Sequence, residues 1–444
     1  MTKDHPVVVI GAGPIGLAAA AELVGRGIDT TVLEAGSRPA AAVRAWSHVR
    51  LFSTWSELVS PAAARLLEPT GWRRPDGSSY PLGGDWVREY LDPLAAVLGD
   101  RIRLDTRVTG VAKRGRDKIV DSGRDGQPFT VHALDATGSD VRITARAVID
   151  ASGTWATPNP LGGDGYPAAG ERAANDRISY RIPDLRRPGV RARYAGKRVA
   201  VVGAGHSALT ALVELAAMAG SGTHVTWVLR RGEIGNAFGG GEADQLPARG
   251  ALGKRAEEAV RQGQVDVVTG FRTRQIDKGA DERLVLVGED GRGLPEVHEI
   301  IGLTGFRPDL SFLSEVRLAL DVRLQAPVEL APLIDPNIHS CGTVYPHGVN
   351  ELSHPERNLY LVGMKSYGRA PTFLALTGYE QVRSVVAAIA GDRDAAVRVE
   401  LTLPEAGVCG GAGLFDQADA AQEAGGCCGP SAPAVVQIGG RLQS

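Results

Sequence analysis

The stretch Gly11-Ala12-Gly13-Pro14-Ile15-Gly16 decides the fold of this 444-residue chain. It follows a short apolar run, Val7 to Ile10, and opens a helical pattern. The first two glycines allow a tight turn and a close approach of the backbone to a pyrophosphate, and the helix N-terminus supplies N–H donors and a positive dipole end. This order of strand, turn and helix predicts a dinucleotide-binding βαβ unit.

A second turn of the same kind makes the prediction much stronger. Gly203-Ala204-Gly205-His206-Ser207-Ala208 follows the β-like run Arg198 to Val202 and also opens a helical pattern. With 57 glycines among 444 residues, a single match would carry little weight. Two matches in the same context predict an α/β fold with two Rossmann-like domains.

The charges that follow the two turns assign different ligands to them. The strand after the first turn, Asp29 to Leu33, ends in Glu34, whose carboxylate accepts hydrogen bonds from ribose hydroxyls and repels a 2′-phosphate. The strand after the second turn, Thr223 to Leu229, ends in Arg230 and Arg231. Two guanidiniums match a 2′-phosphate dianion. The first site therefore fits FAD and the second fits NADPH.

Composition excludes several classes of function. The balance of 49 Lys and Arg against 51 Asp and Glu, without a long basic run, argues against nucleic acid as a partner. No apolar stretch is long enough to span a bilayer. The chain enters a strand within six residues of Met1, which leaves no room for a signal peptide. Four cysteines, three of them beyond residue 400, do not form a disulfide framework, so we expect a cytoplasmic protein.

Other segments complete the predicted cofactor sites. A dense aromatic run, 46–55, either packs against a flavin ring or builds core, and a helical stretch covers Asp85 to Leu98. A buried-type strand, 358–363, precedes a helix predicted from about Pro371 to Ala390, whose positive end would stabilise a reduced flavin. The predicted cofactor-binding residues are Gly11, Ala12, Gly13, Pro14, Gly16, Glu34, Trp46, Gly153, Gly203, Gly205, His206, Ser207, Arg230, Arg231, Gly363, Met364 and Thr372.

These segments predict an interrupted domain organisation. Residues 1–160 form the first part of an FAD-binding domain, and 161–302 form an NADPH-binding domain inserted in it. Residues 303–392 return to the FAD-binding domain, and 393–444, rich in Ala and Gly, form a flexible tail that carries cysteines.

Across residues 5 to 392 the chain resembles flavoproteins with two dinucleotide domains, and among them the flavin-containing monooxygenase-like group. The resemblance rests on both turns, on Ala151-Ser152-Gly153-Thr154-Trp155, on Thr304-Gly305-Phe306-Arg307-Pro308-Asp309 and on the strand closing at Gly363. The chain is also similar to bacterial flavoproteins encoded beside arsenic-resistance genes, through the runs 339–344, 346–348 and 365–374 and the cysteines of its tail. This resemblance implies a link to arsenic resistance.

The chain departs from these families in two respects. The monooxygenase fingerprint F-x-G-x-x-x-H-x-x-x-[WY] is missing ahead of the second turn, and no asparagine precedes Asn159. In that family the presence of the fingerprint and of the asparagine is associated with oxygen transfer. Disulfide reductases, in turn, need a cysteine pair at the flavin, and residues 1–340 contain no cysteine.

The remaining cysteines and some polar residues are candidates for further roles. Cys409, Cys427 and Cys428 could together bind a soft ion such as As(III), or they belong to a tail without a site. Catalytic candidates are His48 and Cys341, each with an ordinary structural role as the alternative, and Arg369.

The leading interpretation is an FAD- and NADPH-dependent oxidoreductase, a single-component monooxygenase that uses molecular oxygen on a small organic or soft-heteroatom substrate. The alternatives are an NADPH-dependent flavin reductase or oxidase that releases peroxide, and a thiol-based metalloid-binding flavoprotein. The nucleotide turns do not identify the substrate, because loops rather than these turns determine it.

Overall fold

The computed structural model describes residues 5–241, 244, 246–338, 347–371 and 373–400. Its strands are β1 (Val7–Ile10), β2 (Thr30–Leu33), β3 (Ile102–Arg103), β4 (Arg107–Lys113), β5 (Phe129–Leu134), β6 (Asp140–Ala145), β7 (Ala147–Asp150), β8 (Ile178–Ser179), β9 (Arg198–Val202), β10 (His224–Val228), β11 (Val265–Val268), β12 (Thr273–Lys278), β13 (Leu284–Gly288), β14 (Glu299–Gly302) and β15 (Leu359–Leu361).

The helices are α1 (Pro14–Gly25), α2 (Ala41–Ala45), α3 (Trp55–Leu58), α4 (Pro61–Leu67), α5 (Gly83–Trp86), α6 (Asp92–Leu98), α7 (Pro188–Tyr194), α8 (His206–Ala216), α9 (Pro247–Arg261), α10 (Ala331–Ile334), α11 (Ala375–Ala390) and α12 (Arg393–Val397). A π-helical turn, Val87–Leu91, joins α5 to α6. Short 3-10 turns cover Glu68–Thr70, Gly99–Arg101, Asn175–Arg177, Ala219–Ser221, Gly235–Phe238, Ala280–Glu282, Ser311–Leu313 and Gly363–Tyr367.

Two five-stranded parallel sheets organise the chain. The first has the order β15-β7-β1-β2-β3, and the second has the order β11-β10-β9-β14-β8. Strands β1 and β7 are buried along their whole length, which is why they do not show an alternating pattern; β1 is apolar throughout, and β7 is apolar up to its last residue, Asp150. Because β15 returns to the first sheet after the whole second sheet, the second unit is inserted in the first. The predicted α/β fold with two Rossmann-like units is confirmed.

Two antiparallel pieces accompany the sheets. Strands β4, β5 and β6 form a three-stranded sheet beside the first unit, and β12 pairs with β13 beside the second. The two stretches of chain that connect the units, 157–160 and 304–307, pair with each other. Asn159 N–H donates to the Gly305 carbonyl at 2.9 Å, and Arg307 N–H donates to the Thr157 carbonyl at 2.9 Å. We call this pairing the linker ribbon.

Two predicted helices have different bounds in the structure. The stretch Asp85 to Leu98 is divided by the π-helical turn rather than continuous. The helix after the last strand begins at Ala375, not at Pro371. Between β15 and this helix, Gly363 to Tyr367 form a 3-10 turn. It ends at Gly368, whose φ of 58° lies in the left-handed region.

Candidate cofactor sites

In the first glycine turn, Gly11 and Gly16 pack against neighbouring backbone atoms, whereas Gly13 faces open space. Gly11 has a φ of 97°, and a Cβ there would lie 2.8 Å from the Ala151 carbonyl oxygen. A Cβ at Gly16 would overlap the carbonyl oxygen of Gly11, so only glycine lets α1 pack this closely. No atom lies within 4 Å of a Cβ position at Gly13. This open space at the N-terminus of α1 suits a pyrophosphate.

Glu34 lies directly against the same turn. One carboxylate oxygen accepts a hydrogen bond from Ala12 N–H at 2.7 Å, and the other accepts one from Gly36 N–H at 2.8 Å. Each oxygen keeps a further lone pair. The carboxylate is therefore fixed beside the open space with acceptor capacity left for ribose hydroxyls.

A buried ion pair fastens the loop after β7. The Lys365 ammonium lies 2.6 Å from Asp150 Oδ2 and 3.0 Å from the Ser152 hydroxyl, and the side chains of Lys365 and Asp150 are both fully buried. Asp150 Oδ1 accepts hydrogen bonds from the Ser152 hydroxyl at 2.6 Å and the Ser152 N–H at 3.0 Å. Gly153 follows with a φ of 68° and open space at its Cβ position. Sequence reasoning missed Lys365, although a lysine just after a buried strand is an unusual signal.

A second buried network holds the turn at Gly363, which has a φ of 69°. Gly363 N–H donates to Gln381 Oε1 at 2.7 Å, and Gln381 Nε2 lies 2.8 Å from His347 Nε2 and 2.9 Å from the Ser366 hydroxyl. Because the Gln381 oxygen is the acceptor, its amide nitrogen donates, and His347 Nε2 must accept. His347 is therefore neutral with its proton on Nδ1. Met364 is half-buried within this turn.

The second glycine turn repeats this construction with one difference. Gly203 has a φ of 134°, and a Cβ there would overlap the Leu303 carbonyl oxygen. Gly205 again faces open space, and α8 begins at the next residue, with Ser207 in its first turn. Where the first turn has Gly16, the second has Ala208, which is buried.

His206, the first residue of α8, is neutral at physiological pH. Its pKa is lowered to about 4, chiefly by burial and also by the Arg249 guanidinium, against the opposite effect of Asp244. Arg249 and Asp244 form an ion pair at 2.7 Å in which both side chains are 3% exposed. The Phe52 ring meets the imidazole edge-on, with ring centroids 5.5 Å apart.

Arg230 and Arg231 follow β10 by two and three residues, on the connection towards α9. Arg230 is exposed and Arg231 is half-buried. Burial lowers the pKa of Arg231, and the charge of Arg230 lowers it further. The two guanidiniums therefore lie within electrostatic range of each other.

The aromatic run lies between the two units. The Trp46 ring packs against Gly83, where a Cβ would lie 2.6 Å from the indole, and lies 6.5 Å from the Trp86 ring. His48 is 8% exposed, and its Nε2 has no hydrogen-bond partner among the described residues. Burial lowers the pKa of His48, while Asp184 and the Ile182 carbonyl raise it. Phe52 extends to His206, so this segment contacts the second turn as well as the first unit.

Other predicted residues lie elsewhere. Arg369 is exposed, and its Nε donates to Gln325 Oε1 at 2.8 Å. Within the described ranges, no group of three or more His, Cys, Asp or Glu side chains is placed to hold a metal ion, and no helix has the length and apolar character needed to cross a membrane. The predicted residues Cys341, Thr372, Cys409, Cys427 and Cys428 lie outside the described residues.

The sequence matches the family model described as pyridine nucleotide-disulphide oxidoreductase over residues 8–329. The chain belongs to this family. The pyridine nucleotide-disulphide oxidoreductase match spans both glycine turns and the second parallel sheet. No match is found among curated protein sequences.

Solved structures show the same fold in several oxidoreductases. Bacillithiol disulfide reductase Bdr from Bacillus cereus is 20% identical, with a TM-score of 0.64 over 87% of this chain and 99% of that one. The FAD-bound cadaverine monooxygenase DfoA from Erwinia amylovora is 13% identical, with a TM-score of 0.60 over 90% and 98%. The flavin-containing monooxygenase from Stenotrophomonas maltophilia is 22% identical, with a TM-score of 0.51 over 86% and 98%.

The predicted cofactors, FAD and NADPH, are consistent with the pyridine nucleotide of the family and with the FAD-bound structure that shares this fold. The chain is therefore an oxidoreductase of the pyridine nucleotide-disulphide family. Its described residues nevertheless include no cysteine. This part of the molecule therefore contains no thiol that could carry out the disulphide chemistry after which the family is named.

Proposed function

We propose that this protein is an FAD-dependent, NADPH-consuming single-component monooxygenase acting on a small organic or soft-heteroatom substrate. The observation that carries the proposal is that residues 1–340, which include both glycine turns, contain no cysteine. Within residues 1–340, electrons taken from NADPH therefore have no dithiol to receive them. Molecular oxygen is the acceptor that the monooxygenases of this fold use.

The residues of the first site have defined tasks in this proposal. Gly11 to Gly16 and the N-terminus of α1 hold the FAD pyrophosphate, and Glu34 binds the adenosine ribose. Gly153 and Gly363 would let the backbone approach the flavin, and Met364 would lie in the same turn as Gly363. When bound, FAD accepts a hydride and passes electrons to oxygen. The protein supplies orientation and electrostatics.

The residues of the second site hold the hydride donor. Gly203, Gly205 and Ser207 bind the NADPH pyrophosphate at the N-terminus of α8, and Arg230 and Arg231 bind the 2′-phosphate. The neutral imidazole of His206 lies beside this turn without adding charge. Phe52 connects it with the aromatic segment of the FAD unit.

A second candidate is an NADPH oxidase that releases hydrogen peroxide. The missing fingerprint and the lack of an asparagine before Asn159 favour it. The two reactions differ in balance. A monooxygenase converts NADPH, a proton, oxygen and substrate into NADP⁺, water and oxygenated substrate, whereas an oxidase converts NADPH, a proton and oxygen into NADP⁺ and hydrogen peroxide.

Stopped-flow mixing of NADPH-reduced protein with oxygen distinguishes the candidates. A monooxygenase returns to its oxidised spectrum slowly when substrate is absent, through a persistent absorbance distinct from both end states. An oxidase returns rapidly and releases one peroxide per NADPH. Failure of NADPH to reduce the flavin would contradict both.

The arsenic link remains a proposal from the sequence alone. It rests on Cys409, Cys427 and Cys428, whose thiolates suit As(III). Calorimetry with arsenite on the full chain and on a chain ending at residue 400 tests it. We expect tight binding only by the full chain. Equal weak binding by both would remove the metalloid role.

A further inference from the structure

A groove of about 550 Å³ lies beside the linker ribbon, outside the two cofactor turns. Its apolar lining includes Pro160, Tyr166 and Pro167, and its polar lining includes Arg172, Asn175 and Arg307. Tyr166 is 74% exposed, which is high for so large a ring. The groove therefore combines a flat apolar wall with hydrogen-bond donors, the mixture found in small-molecule sites.

The two arginines of the groove carry charge without a carboxylate partner among the described residues. Arg307 Nε donates to Asn159 Oδ1 at 2.6 Å, and its Nη2 donates to the Gly165 carbonyl at 2.7 Å, both neutral acceptors. These bonds fix the guanidinium and leave further N–H groups for a ligand. Arg172 is exposed and makes no side-chain hydrogen bond or ion pair with another described residue.

The acidic side chain in the lining, Glu171, is already satisfied. It is 2% exposed and accepts hydrogen bonds from Leu161 N–H at 3.0 Å, Ala168 N–H at 2.7 Å and the Tyr180 hydroxyl at 2.5 Å. The Glu171 carboxylate is therefore occupied by hydrogen bonds from groups around the groove. Burial lowers the pKa of Arg307, and the nearby charge of Arg369 lowers it further. Cations outnumber carboxylates at this place.

The position of the groove relates it to the cofactors. Tyr180 and Leu161 pack against Gly302, the last residue of β14, where a Cβ would lie 2.7 Å from the Leu161 side chain and 3.3 Å from the Tyr180 ring. Ligands of open parallel sheets bind outside the carboxyl ends of the strands. The groove lies at that end of β14 and beside the ribbon that joins the two units.

We propose that this groove binds the substrate, and that the substrate is a small organic carboxylate with a flat apolar body. The carboxylate pairs with Arg172 and Arg307, and the body lies against Tyr166 and the prolines. This assignment rests on the proposed oxidoreductase function, because it names the binding site and the charged group of the substrate of that reaction.

Calorimetric titration of the full-length, FAD-loaded protein with benzoate tests the assignment. Arg172→Gln should weaken benzoate binding about tenfold, since the lost charge-assisted bond has no substitute. Arg307→Gln should weaken it at least as much. Because Arg307 also holds the ribbon, Arg172→Gln, whose side chain contacts no described partner, is the decisive variant. The matched control is Arg191→Gln on α7, an exposed arginine that makes no described side-chain bond, and it should bind benzoate as the parent does.

Several outcomes would overturn the assignment. They are the lack of millimolar benzoate binding by the parent, equal binding by the parent and Arg172→Gln, and binding of inorganic phosphate in preference to benzoate. Displacement of benzoate by NADP⁺ would also overturn it, since the groove would then be part of the cofactor site. Failure of the proposed function has a different signature, namely intact benzoate binding without NADPH oxidation.

Discussion

The two glycine turns of this protein share a backbone design but differ in what surrounds them. In both, the first glycine has a positive φ and abuts a carbonyl oxygen from a neighbouring strand end, and the second glycine faces open space. The first turn is then bound by the carboxylate of Glu34. The second is followed by Arg230 and Arg231. From this difference we infer that the turn binds a pyrophosphate, while the flanking charge selects the dinucleotide that carries it.

A buried ion pair lies near each turn, but the two pairs differ in how far apart their residues are in the sequence. Lys365 and Asp150 join the loop after β7 to the turn after β15, across the inserted unit. Asp244 and Arg249 are five residues apart and stay within the second unit. The first site therefore depends on distant parts of the chain, as the interrupted topology requires. The ion pair beside the second turn, in contrast, is formed within one short segment.

We expect the largest effect at the third glycine position of the turns, where the first turn has Gly16 and the second has Ala208. Gly16→Ala places a Cβ on the Gly11 carbonyl oxygen, so α1 must move away from the strand. We expect a loss of roughly 3 kcal/mol in the free energy of unfolding, with loss of bound FAD, measured by urea denaturation and by the flavin absorbance of the purified protein. Gly25→Ala, at the open end of α1, is the control and should retain FAD. Normal FAD content in Gly16→Ala would contradict the packing argument.

A smaller effect tests the charge difference between the sites. Arg230→Gln with Arg231→Gln removes both guanidiniums that we assign to the 2′-phosphate. Since each charge-assisted hydrogen bond contributes about 1.5–3 kcal/mol, the preference of kcat/KM for NADPH over NADH should fall at least tenfold. The rate with NADH should change little. Arg191→Gln is again the matched control, and an unchanged preference in the double variant would assign the phosphate elsewhere.

A third test concerns the pH dependence contributed by His206, beside the second turn. Its folded pKa of about 4 lies below the ordinary value of 6.5, so between these pH values the unfolded chain binds a proton that the folded protein does not. The stabilisation is complete above pH 6.5 and is lost as the pH falls towards 4, by at most about 1.4 kcal/mol per pH unit. Urea denaturation from pH 4.5 to 7.5 should show a shallower slope for His206→Asn. Some slope should remain, because burial also lowers the pKa of His354 to about 4. An unchanged slope would mean that the pKa of His206 is not lowered in the folded protein.

Much of the architecture could be predicted because it depends on local patterns. Val7 to Ile10 and Arg198 to Val202 were predicted as strands and form β1 and β9. Glu34 was predicted beside the first turn and contacts Ala12. The helix predicted from Pro371 begins only at Ala375, because proline is compatible with a first helical turn without requiring one.

The contacts that sequence reasoning missed join residues far apart in the chain. Lys365 and Asp150, Gln381 and Gly363, and the ribbon between Asn159 and Gly305 are separated by the inserted unit or by other elements. The aromatic run was open to two interpretations. The structure places Trp46 against Gly83 and Phe52 against His206, two different surroundings within one short segment.

The sequence by itself determined the two dinucleotide folds, their order and the opposite charges beside them, because turn, strand and flanking charge lie within one βαβ unit of each other. Only the tertiary structure decided which buried charges are paired, that His206 and His347 are neutral, and that Arg172 and Arg307 line one groove. Burial and pairing are set by what packs around a side chain, and those neighbours come from chain segments that no local pattern connects.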